Sequence, residues 1–167
     1  MAISFSTARL QISSINSVDG LTPEQVIGLL SPKVSKNLPA GWQNINTESS
    51  AKTWLQTQLT EGAVLSVQDT TLEQIVGLLF LYGVENNAVN AEIRLGYLIA
   101  EQAWGKGYAT ELIAGVIRYF AYNNQTTAIV AGVEAVNVAS VKVLTKNGFR
   151  FAHKNEYSDF YIYHFKG

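Results

Sequence analysis

The fold is decided by one stretch, which reads Glu92-Ile-Arg-Leu-Gly-Tyr-Leu-Ile-Ala100 and continues as Glu-Gln-Ala-Trp-Gly105-Lys-Gly107-Tyr-Ala-Thr-Glu111. Its residues 97–100 form a short apolar run, which predicts a strand. Between residues 109 and 120 the apolar side chains recur at helical spacing, and they predict a helix with one buried face. The stretch therefore predicts a strand, a glycine loop and a helix in succession.

Gly105 and Gly107 lie between the predicted strand and the predicted helix. A glycine turn that leads into a helix exposes several backbone N–H groups, and the helix dipole adds partial positive charge there. Lys106 adds a full charge to the same loop. The arrangement suits a phosphate or pyrophosphate, but the two glycines taken alone are explained equally well by a tight strand-to-helix turn.

The composition restricts the class of protein. The chain has 167 residues, of which 47% are hydrophobic and 15% are charged, as is typical of one folded domain. A formal net charge of −1 gives no basic excess for nucleic acid or an anionic membrane. Zero cysteines exclude disulfides, thiolate metal ligands and cysteine nucleophiles. Because no apolar run approaches the ~20 residues of a membrane span and the start lacks signal-peptide features, a cytoplasmic location is predicted.

The remaining elements are predicted from periodicity and cap residues. Thr22-Pro-Glu-Gln25 predicts a helix start with a capping box, and Asn137 predicts a helix cap. Residues 32–46 and 83–90 are predicted as loop and turn, and regular structure is interrupted at 123–124. The predicted order is strand 9–15, helices 22–30 and 47–59, strands 63–67, 75–82 and 92–100, helix 109–120, strand 128–133, helix 137–146 and two aromatic strands within 149–165. This order predicts a single mixed α/β domain over residues 1–167.

Two motifs in this order resemble those of a known family. The first is Gln102-Ala-Trp-Gly-Lys-Gly107, which fits Gln/Arg-x-x-Gly-x-Gly/Ala and is followed by Ala-Thr-Glu. The second is Asn137-x-x-Ser140 followed by Leu144-Thr-Lys-Asn-Gly-Phe149. Together they resemble the GNAT superfamily of N-acyltransferases, and within it the branch of the ribosomal-protein-alanine N-acetyltransferases. The resemblance is close over residues 92–149.

The resemblance implies a fold, a donor and a set of contacts. It implies a central mixed, mostly antiparallel sheet flanked by helices, and acetyl-CoA as acetyl donor without a metal. The implied acceptor is a primary amine, either a protein N-terminus, which is favoured, or a small molecule; a homodimer is a further expectation. The residues implied to bind the donor are Leu98, Ile99, Ala100, Gln102, Trp104, Gly105, Lys106, Gly107, Tyr108, Ala109, Thr110, Asn137, Ser140 and Lys146.

The resemblance also implies how the reaction is catalysed. The position at which many relatives carry a proton-donating tyrosine holds Leu144, so Ser140 is the predicted acid or sulfur-orienting group. A backbone N–H near Leu98 or Ile99 is implied to stabilise the carbonyl oxygen. Glu92 at the start of the central strand is the predicted general base, and Glu134 is the remaining carboxylate candidate. Glu111, in the first turn of the loop helix, is predicted to complement the helix dipole.

Three other interpretations stay open. A dinucleotide-binding oxidoreductase would use Gly105-x-Gly107 and Glu134, but the third glycine position holds Thr110 and the turn is long. A nucleoside triphosphatase would need a Gly-Lys-Ser/Thr sequence, which is absent. A non-catalytic acyl-CoA sensor would explain Leu144.

Several aromatic and histidine residues have two interpretations each. His153 and His164, without a third ligand nearby in sequence, predict no metal site. Trp42 is predicted either to pack on the core or to contact substrate. Core packing is the first interpretation of the remaining aromatic candidates for an acceptor cleft, which are Tyr157, Tyr161 and Tyr163.

Overall fold

One sheet runs through the computed structural model, which describes residues 2–84, 91–122 and 125–166. Its strands within those ranges are β1 Ser4–Ser6, β2 Leu10–Ile15, β3 Ala63–Asp69, β4 Gln74–Tyr82, β5 Ala91–Ile99, β6 Thr126–Val133, β7 Arg150–Lys154 and β8 Asp159–His164. They lie in the order β1-β2-β3-β4-β5-β6-β8-β7. The pair β5 and β6 is parallel, and the other neighbours are antiparallel. The predicted mixed α/β fold with a mostly antiparallel sheet is confirmed.

The helices begin where the sequence supplies caps. They are α1 Pro23–Leu29, α2 Pro32–Ser35, α3 Glu48–Glu61, α4 Tyr108–Ala121 and α5 Val138–Lys146, with short 3-10 turns at Val18–Gly20, Ala40–Trp42 and Glu101–Ala103. Thr22 and Gln25 form the predicted capping box of α1. The Asn137 side chain accepts a hydrogen bond from the Ser140 N–H at 3.2 Å, which confirms it as the cap of α5.

Hydrophobic side chains fill both faces of the sheet, in accord with the continuous apolar run of β4. On one face α4 buries Leu112, Ile113 and Val116 against the central strands. On the other face α1 and α3 cover the sheet, and Trp54 and Leu55 of α3 pack among the buried residues. Successive residues of β5 therefore point to opposite layers, so that Ile99 belongs to the α4 layer and Leu98 to the α1/α3 layer.

The central strands separate at one end. Pairing between β5 and β6 stops at Leu95 and Ala131. Beyond this point β5 stays paired with β4 as far as Ile99, and β6 stays paired with β8 as far as Val133. A gap therefore opens between the carboxyl ends of the two parallel strands, directly in front of the loop that leads into α4.

The structure adds short elements that the sequence did not predict. β1 precedes the predicted first strand, and α2 together with the 3-10 turn Ala40–Trp42 lies inside the predicted loop 32–46. α1 ends at Leu29, before Ser31-Pro32, and Pro32 then occupies the first position of α2, where its missing N–H costs nothing. Positions 85–90 of the predicted turn and the predicted interruption at 123–124 lie outside the described residues.

Candidate active site

The glycine loop forms one wall of a cleft of about 590 Å³, which we call the first cleft. Gly105 and Gly107 adopt left-handed backbone angles, with φ of 74° and 79°. Such angles are unfavourable for other residues, so the two glycines are needed for this turn. α4 begins at Tyr108, directly after the second glycine, and the free N–H groups of its first turn lie at the cleft. The glycine turn and the helix start on which the predicted anion site depends are therefore both present in the fold.

A network from the first strands clamps this loop. The Arg9 guanidinium donates from Nε to Glu111 Oε1 at 2.7 Å and from Nη1 to the Lys106 carbonyl at 2.8 Å. The backbone N–H of Arg9 donates to Glu111 Oε2 at 2.9 Å, and the Thr7 hydroxyl donates to the same oxygen. Arg9 also lies 4.5 Å from the ring centroid of Tyr108. Glu111 is therefore a structural anchor of the loop in addition to a first-turn acid of α4.

The same network fixes the charge states of its members. Burial opposes ionisation of Glu111, but hydrogen bonds from Thr7 and Arg9 outweigh it and hold the pKa of Glu111 below its ordinary value. The Tyr108 hydroxyl donates to Asp69, which lowers the pKa of Asp69 and raises the pKa of Tyr108. Asp69 also accepts from the backbone N–H groups of Thr71 and Leu72 at 2.9 and 2.8 Å, and so holds the turn between β3 and β4.

Most of the residues implied to bind the donor line the first cleft. They are Leu98, Ile99, Trp104, Gly105, Gly107, Tyr108, Ala109, Thr110, Asn137 and Ser140. Four others are not among its lining residues: Ala100 is buried, whereas Gln102, Lys106 and Lys146 are exposed. Lys33 and Lys36, at α2, line the cleft although the sequence analysis did not select them. Their proximity depends on α2, which the sequence analysis placed in a loop.

A second cleft of about 490 Å³ meets the first one. The two clefts share five lining residues, which are Asn37, Leu38, Tyr97, Asn137 and Ser140. The second cleft is otherwise lined by the 3-10 segment with Trp42, by the ends of β5 and β6, and by Tyr157 near β8. A molecule in the first cleft and a molecule in the second would therefore meet at the shared wall.

The shared wall carries a hydroxyl pair. The Tyr97 hydroxyl donates to Ser140 Oγ at 3.0 Å. Burial raises the pKa of Tyr97, and the hydrogen bond to Ser140 only partly offsets this, so the phenol stays protonated at neutral pH. In the sequence Tyr97 appears only as one member of an apolar strand, and this pattern carries no signal for its hydroxyl. Leu144, at the usual tyrosine position, is fully buried in the core.

Backbone donors of β5 point into the gap between β5 and β6. The Ala100 N–H donates to the Val76 carbonyl of β4. Alternation along the antiparallel ladder then directs the Leu98 N–H to β4 and the N–H groups of Tyr97 and Ile99 to the gap. In agreement, the Trp104 indole donates to the Ile99 carbonyl at 2.8 Å from the side away from β4. Of the two predicted positions, Ile99 has the suitable direction and Leu98 does not.

The two candidate carboxylates lie at opposite ends of the sheet. Glu134 directly follows β6 and lines the second cleft. Glu92, at the other end of the parallel pair, is exposed and lines neither cleft. Five residues of strand separate it from Tyr97, or about 17 Å. The structure does not bring Glu92 to the hydroxyl pair.

The other sequence candidates have defined places. The ring of Trp42 packs on Trp54 and Phe80, as its core interpretation predicts, and the residue also lines the second cleft, so that contact with substrate stays a prediction. Tyr157 lines this cleft, but Tyr161 and Tyr163 pack against the core. Within the described ranges no group of three or more His, Asp or Glu side chains could hold a metal ion. No helix of the same ranges is long and apolar enough to cross a bilayer.

A comparison with known protein families identifies the family of this chain. The sequence model described as "Acetyltransferase (GNAT) domain" matches residues 21–150, which is more than half of the chain. The chain belongs to the GNAT acetyltransferase family. Membership confirms the resemblance drawn from the two motifs and the predicted donor, acetyl-CoA, which GNAT enzymes use as substrate. No curated protein sequence matches the chain.

Solved GNAT structures share the fold along nearly the whole chain. A GNAT acetyltransferase from Bacillus anthracis is 21% identical, with a TM-score of 0.73 and 96% of both chains covered. A ribosomal-protein-S5-alanine acetyltransferase from Vibrio fischeri is 18% identical, with a TM-score of 0.73 and coverage of 96% of this chain and 94% of its own. A ribosomal L7/L12 alpha-N-protein acetyltransferase in complex with coenzyme A is 15% identical, with a TM-score of 0.75 and 98% of both chains covered.

The clamp predicts a pH-dependent loss of stability in Glu111→Gln. Because the native pKa of Glu111 lies below its ordinary value of 4.5, its charge stabilises the fold above that pH, and the contribution is lost as pH falls through the native pKa. We expect Glu111→Gln to lower the free energy of unfolding by about 1–2 kcal/mol at pH 7, since Arg9 is partly exposed and screened. Urea unfolding at pH 7 and pH 3 measures this difference.

The control for this experiment is Glu48→Gln, which removes an exposed partner of Lys52 on α3. This variant should lose less than about 0.5 kcal/mol. A gap between Glu111→Gln and wild type that is as wide at pH 3 as at pH 7 would contradict the assigned ionisation.

Proposed function

We propose that the protein is an N-acetyltransferase that moves the acetyl group of acetyl-CoA to a primary amine by direct attack in a ternary complex. The observation that carries this proposal is the shared wall of the two clefts, where Tyr97, Asn137 and Ser140 face both. The first cleft suits the donor and the second suits the acceptor. Direct attack needs both substrates at one point, and the shared wall supplies it.

In the proposed complex the first cleft holds acetyl-CoA. The pyrophosphate binds the N–H groups at the start of α4, beyond Gly105 and Gly107. Lys106 in the loop and Lys33 and Lys36 at α2 supply positive charge. Lys33 also forms a 3.3 Å ion pair with Glu101, which lies in the 3-10 turn before the glycine loop. This ion pair links α2 to that turn. The pantetheine arm extends along the gap between β5 and β6. There its amides pair with backbone groups of these strands that do not pair with a neighbouring strand.

The acetyl carbonyl develops negative charge when the amine attacks. The N–H groups of Ile99 and Tyr97 face the gap, so they are the proposed donors to this oxygen. These backbone donors stabilise the developing charge without reorganising, because β5 is held in place by its hydrogen bonds to β4 on the side away from the gap.

Glu134 is the proposed general base, because it is the carboxylate among the described residues of the second cleft. It accepts a proton from the attacking ammonium, directly or through a water, and so generates the neutral amine. Glu92 is the alternative that the sequence favoured, and it would need a relay along about five residues of strand.

Ser140 is the proposed proton donor to the departing thiolate, and Tyr97 is the proposed proton donor to Ser140. When the C–S bond breaks, the sulfur takes the hydroxyl proton of Ser140, and Ser140 takes the proton of Tyr97. The acetylated nitrogen loses its extra proton to solvent and the tyrosinate is reprotonated from solvent, so that the products are the amide and the free thiol. A serine hydroxyl is a weak acid, and donation from the phenol strengthens it as the charge transfers.

A peptide N-terminus is the favoured acceptor class and a small amine is the second. The structural relatives named above include protein N-terminal acetyltransferases, and the second cleft carries a single described acid, which suits one cationic amine. A non-catalytic acyl-CoA sensor remains the alternative function. It would bind acetyl-CoA but release no thiol in the presence of any amine.

The donor site is tested by Gly107→Glu. A glutamate there combines an unfavourable left-handed backbone angle with negative charge at the helix start. Calorimetry should show acetyl-CoA binding to wild type at about micromolar Kd, which is roughly −8 kcal/mol, and no binding to the variant. NADH should give no heat of binding with either protein.

Gly28→Glu is the matched control, because Gly28 lies in α1 with nothing within 4 Å of its Cβ position and lines neither cleft. It should bind acetyl-CoA like wild type. Equal binding by Gly107→Glu would remove the loop from the donor site.

The hydroxyl pair is tested by Ser140→Ala, Tyr97→Phe and the double variant. Each single change should lower kcat by about tenfold to a hundredfold, toward the low end of general acid effects. The affinity for acetyl-CoA should stay within about threefold. Because the two groups act in series, the double variant should lose little more than Ser140→Ala alone.

Thioesters of more acidic thiols should reduce these losses, since such thiolates leave without a proton. Tyr161→Phe removes a tyrosine hydroxyl outside both clefts and should keep the wild-type kcat. If the losses of kcat in the two single variants add up in the double variant, the proposal that Tyr97 and Ser140 act in series is contradicted.

The base is tested by comparing Glu134→Gln with Glu92→Gln. Glu134→Gln should lower kcat/KM for the amine by about 10²-fold or more, with the loss greatest at low pH where the amine is mostly protonated. Glu92→Gln should retain the wild-type pH profile. The reverse result would return the role to Glu92.

A further inference from the structure

A third cleft of about 710 Å³ continues the second cleft along α3. The second and third clefts share Pro39, Trp42 and Tyr82 as lining residues. The groove therefore runs from the Tyr97–Ser140 pair, past Trp42 and Tyr82, to the outer turns of α3. No catalytic group of the proposed reaction lies in the third cleft, so the reaction itself does not explain it.

The third cleft is polar but almost uncharged. Its α3 wall carries the hydroxyls of Ser50, Thr53 and Thr57, and Glu61 is its one charged residue in the described parts of the chain. The second cleft likewise has Glu134 as its one described charged residue. The groove therefore offers no cation for a phosphate or carboxylate group, and its two acids are too few to suit a ligand with many positive charges.

Two buried polar atoms beside this cleft have no hydrogen-bond partner among the described residues. They are Nε1 of Trp54 and Oε1 of Gln58, in side chains that are each 4% exposed and that line the cleft. The residues are four apart on α3, so they lie on one face of the helix. An unpaired donor and an unpaired acceptor on one face of a helix are the groups that the carbonyl and the N–H of an amide would pair with. Leaving either one unpaired is unfavourable, and a ligand amide would remove that cost.

We propose that the third cleft is a distal acceptor subsite that binds the main chain of a peptide whose N-terminal amine lies at Ser140. The peptide carbonyl accepts from Trp54 Nε1 and a peptide N–H donates to Gln58 Oε1 once the side chains that shield these two buried atoms rotate away. Trp42 and Tyr82 form the apolar passage between the amine and this amide. The inference rests on the proposed acetyl transfer and specifies its acceptor as an extended peptide rather than a compact amine.

The test compares acceptors of two lengths, alaninamide and the tetrapeptide amide Ala-Ser-Ala-Ser, with acetyl-CoA as donor. The tetrapeptide spans about 13 Å when extended, which reaches beyond the second cleft. Thiol release gives kcat/KM for each acceptor. Wild type should favour the tetrapeptide by at least tenfold.

Thr57→Trp and Thr60→Trp form a matched pair for this test. Both threonines are exposed on α3, and each hydroxyl donates to the carbonyl four residues earlier at 2.9 Å. Thr57 lines the third cleft, whereas Thr60 does not. Thr57→Trp should abolish the tenfold preference and leave the alaninamide rate unchanged, while Thr60→Trp should keep both. Gln58→Met should lower the preference by about threefold or more, because it removes the acceptor and retains the length of the side chain.

The outcomes separate this inference from the proposed function. Equal rates per amine for the two acceptors, or the same preference in Thr57→Trp and wild type, would overturn the distal subsite while acetyl transfer stands. Acetyl-CoA binding without thiol release in the presence of either acceptor would overturn acetyl transfer itself. In that case calorimetry of the tetrapeptide with the coenzyme A complex still decides the subsite: weaker binding by Thr57→Trp than by Thr60→Trp supports it, and equal binding overturns it.

Discussion

The separation of β5 from β6 after Leu95 and Ala131 is the constraint on which the site depends. Each strand keeps a partner on its outer side, β4 for β5 and β8 for β6, so the sheet tolerates the gap without losing its order. The unpaired backbone groups are confined to the inner edges. Unsatisfied peptide groups in a buried place cost about 1–3 kcal/mol each. A ligand that pairs with them recovers that free energy, which is the physical basis for proposing that the amide-bearing arm of the thioester lies in the gap.

The gap alone would bind a ligand loosely, because the loop in front of it depends on two glycines. Glycine permits the left-handed turn but also gives the unfolded and partly folded chain the most freedom. The clamp from the turn between β1 and β2 removes that freedom, since Arg9 contacts Glu111, the Lys106 carbonyl and the Tyr108 ring together. No one of these contacts is strong, because the Arg9 side chain is 43% exposed. Several of them on one guanidinium fix the start of α4 relative to the sheet.

The parts of the site that the sequence predicted are local ones. The strand, glycine loop and helix follow from periodicity within about thirty residues, and Asn137 caps α5 through a bond to a residue three positions away. The clamp escaped prediction because Arg9 and Glu111 are 102 residues apart. Tyr97 escaped because a strand covered on both faces is apolar throughout, so its pattern does not tell which face holds a functional group. The separation of Glu92 from Glu134, in contrast, follows from local patterns. A strand, helix and strand in succession predict a parallel pair, whose starting residue lies at the end opposite to its final one.

The replacement of the usual tyrosine by Leu144 has a physical counterpart in the strand. Leu144 is buried in the α4 layer, where a phenol would need a partner that the packing does not provide. Tyr97 instead presents a phenol from β5 to the first turn of α5 and meets Ser140 there. The wall shared by the two clefts therefore carries two hydroxyls in contact, each of which can donate a hydrogen bond. Burial raises the pKa of Tyr97, so its phenol stays protonated over the physiological range and cannot take a proton from an amine. In the proposed reaction the pair therefore serves the leaving thiolate, and a carboxylate on the acceptor side activates the amine.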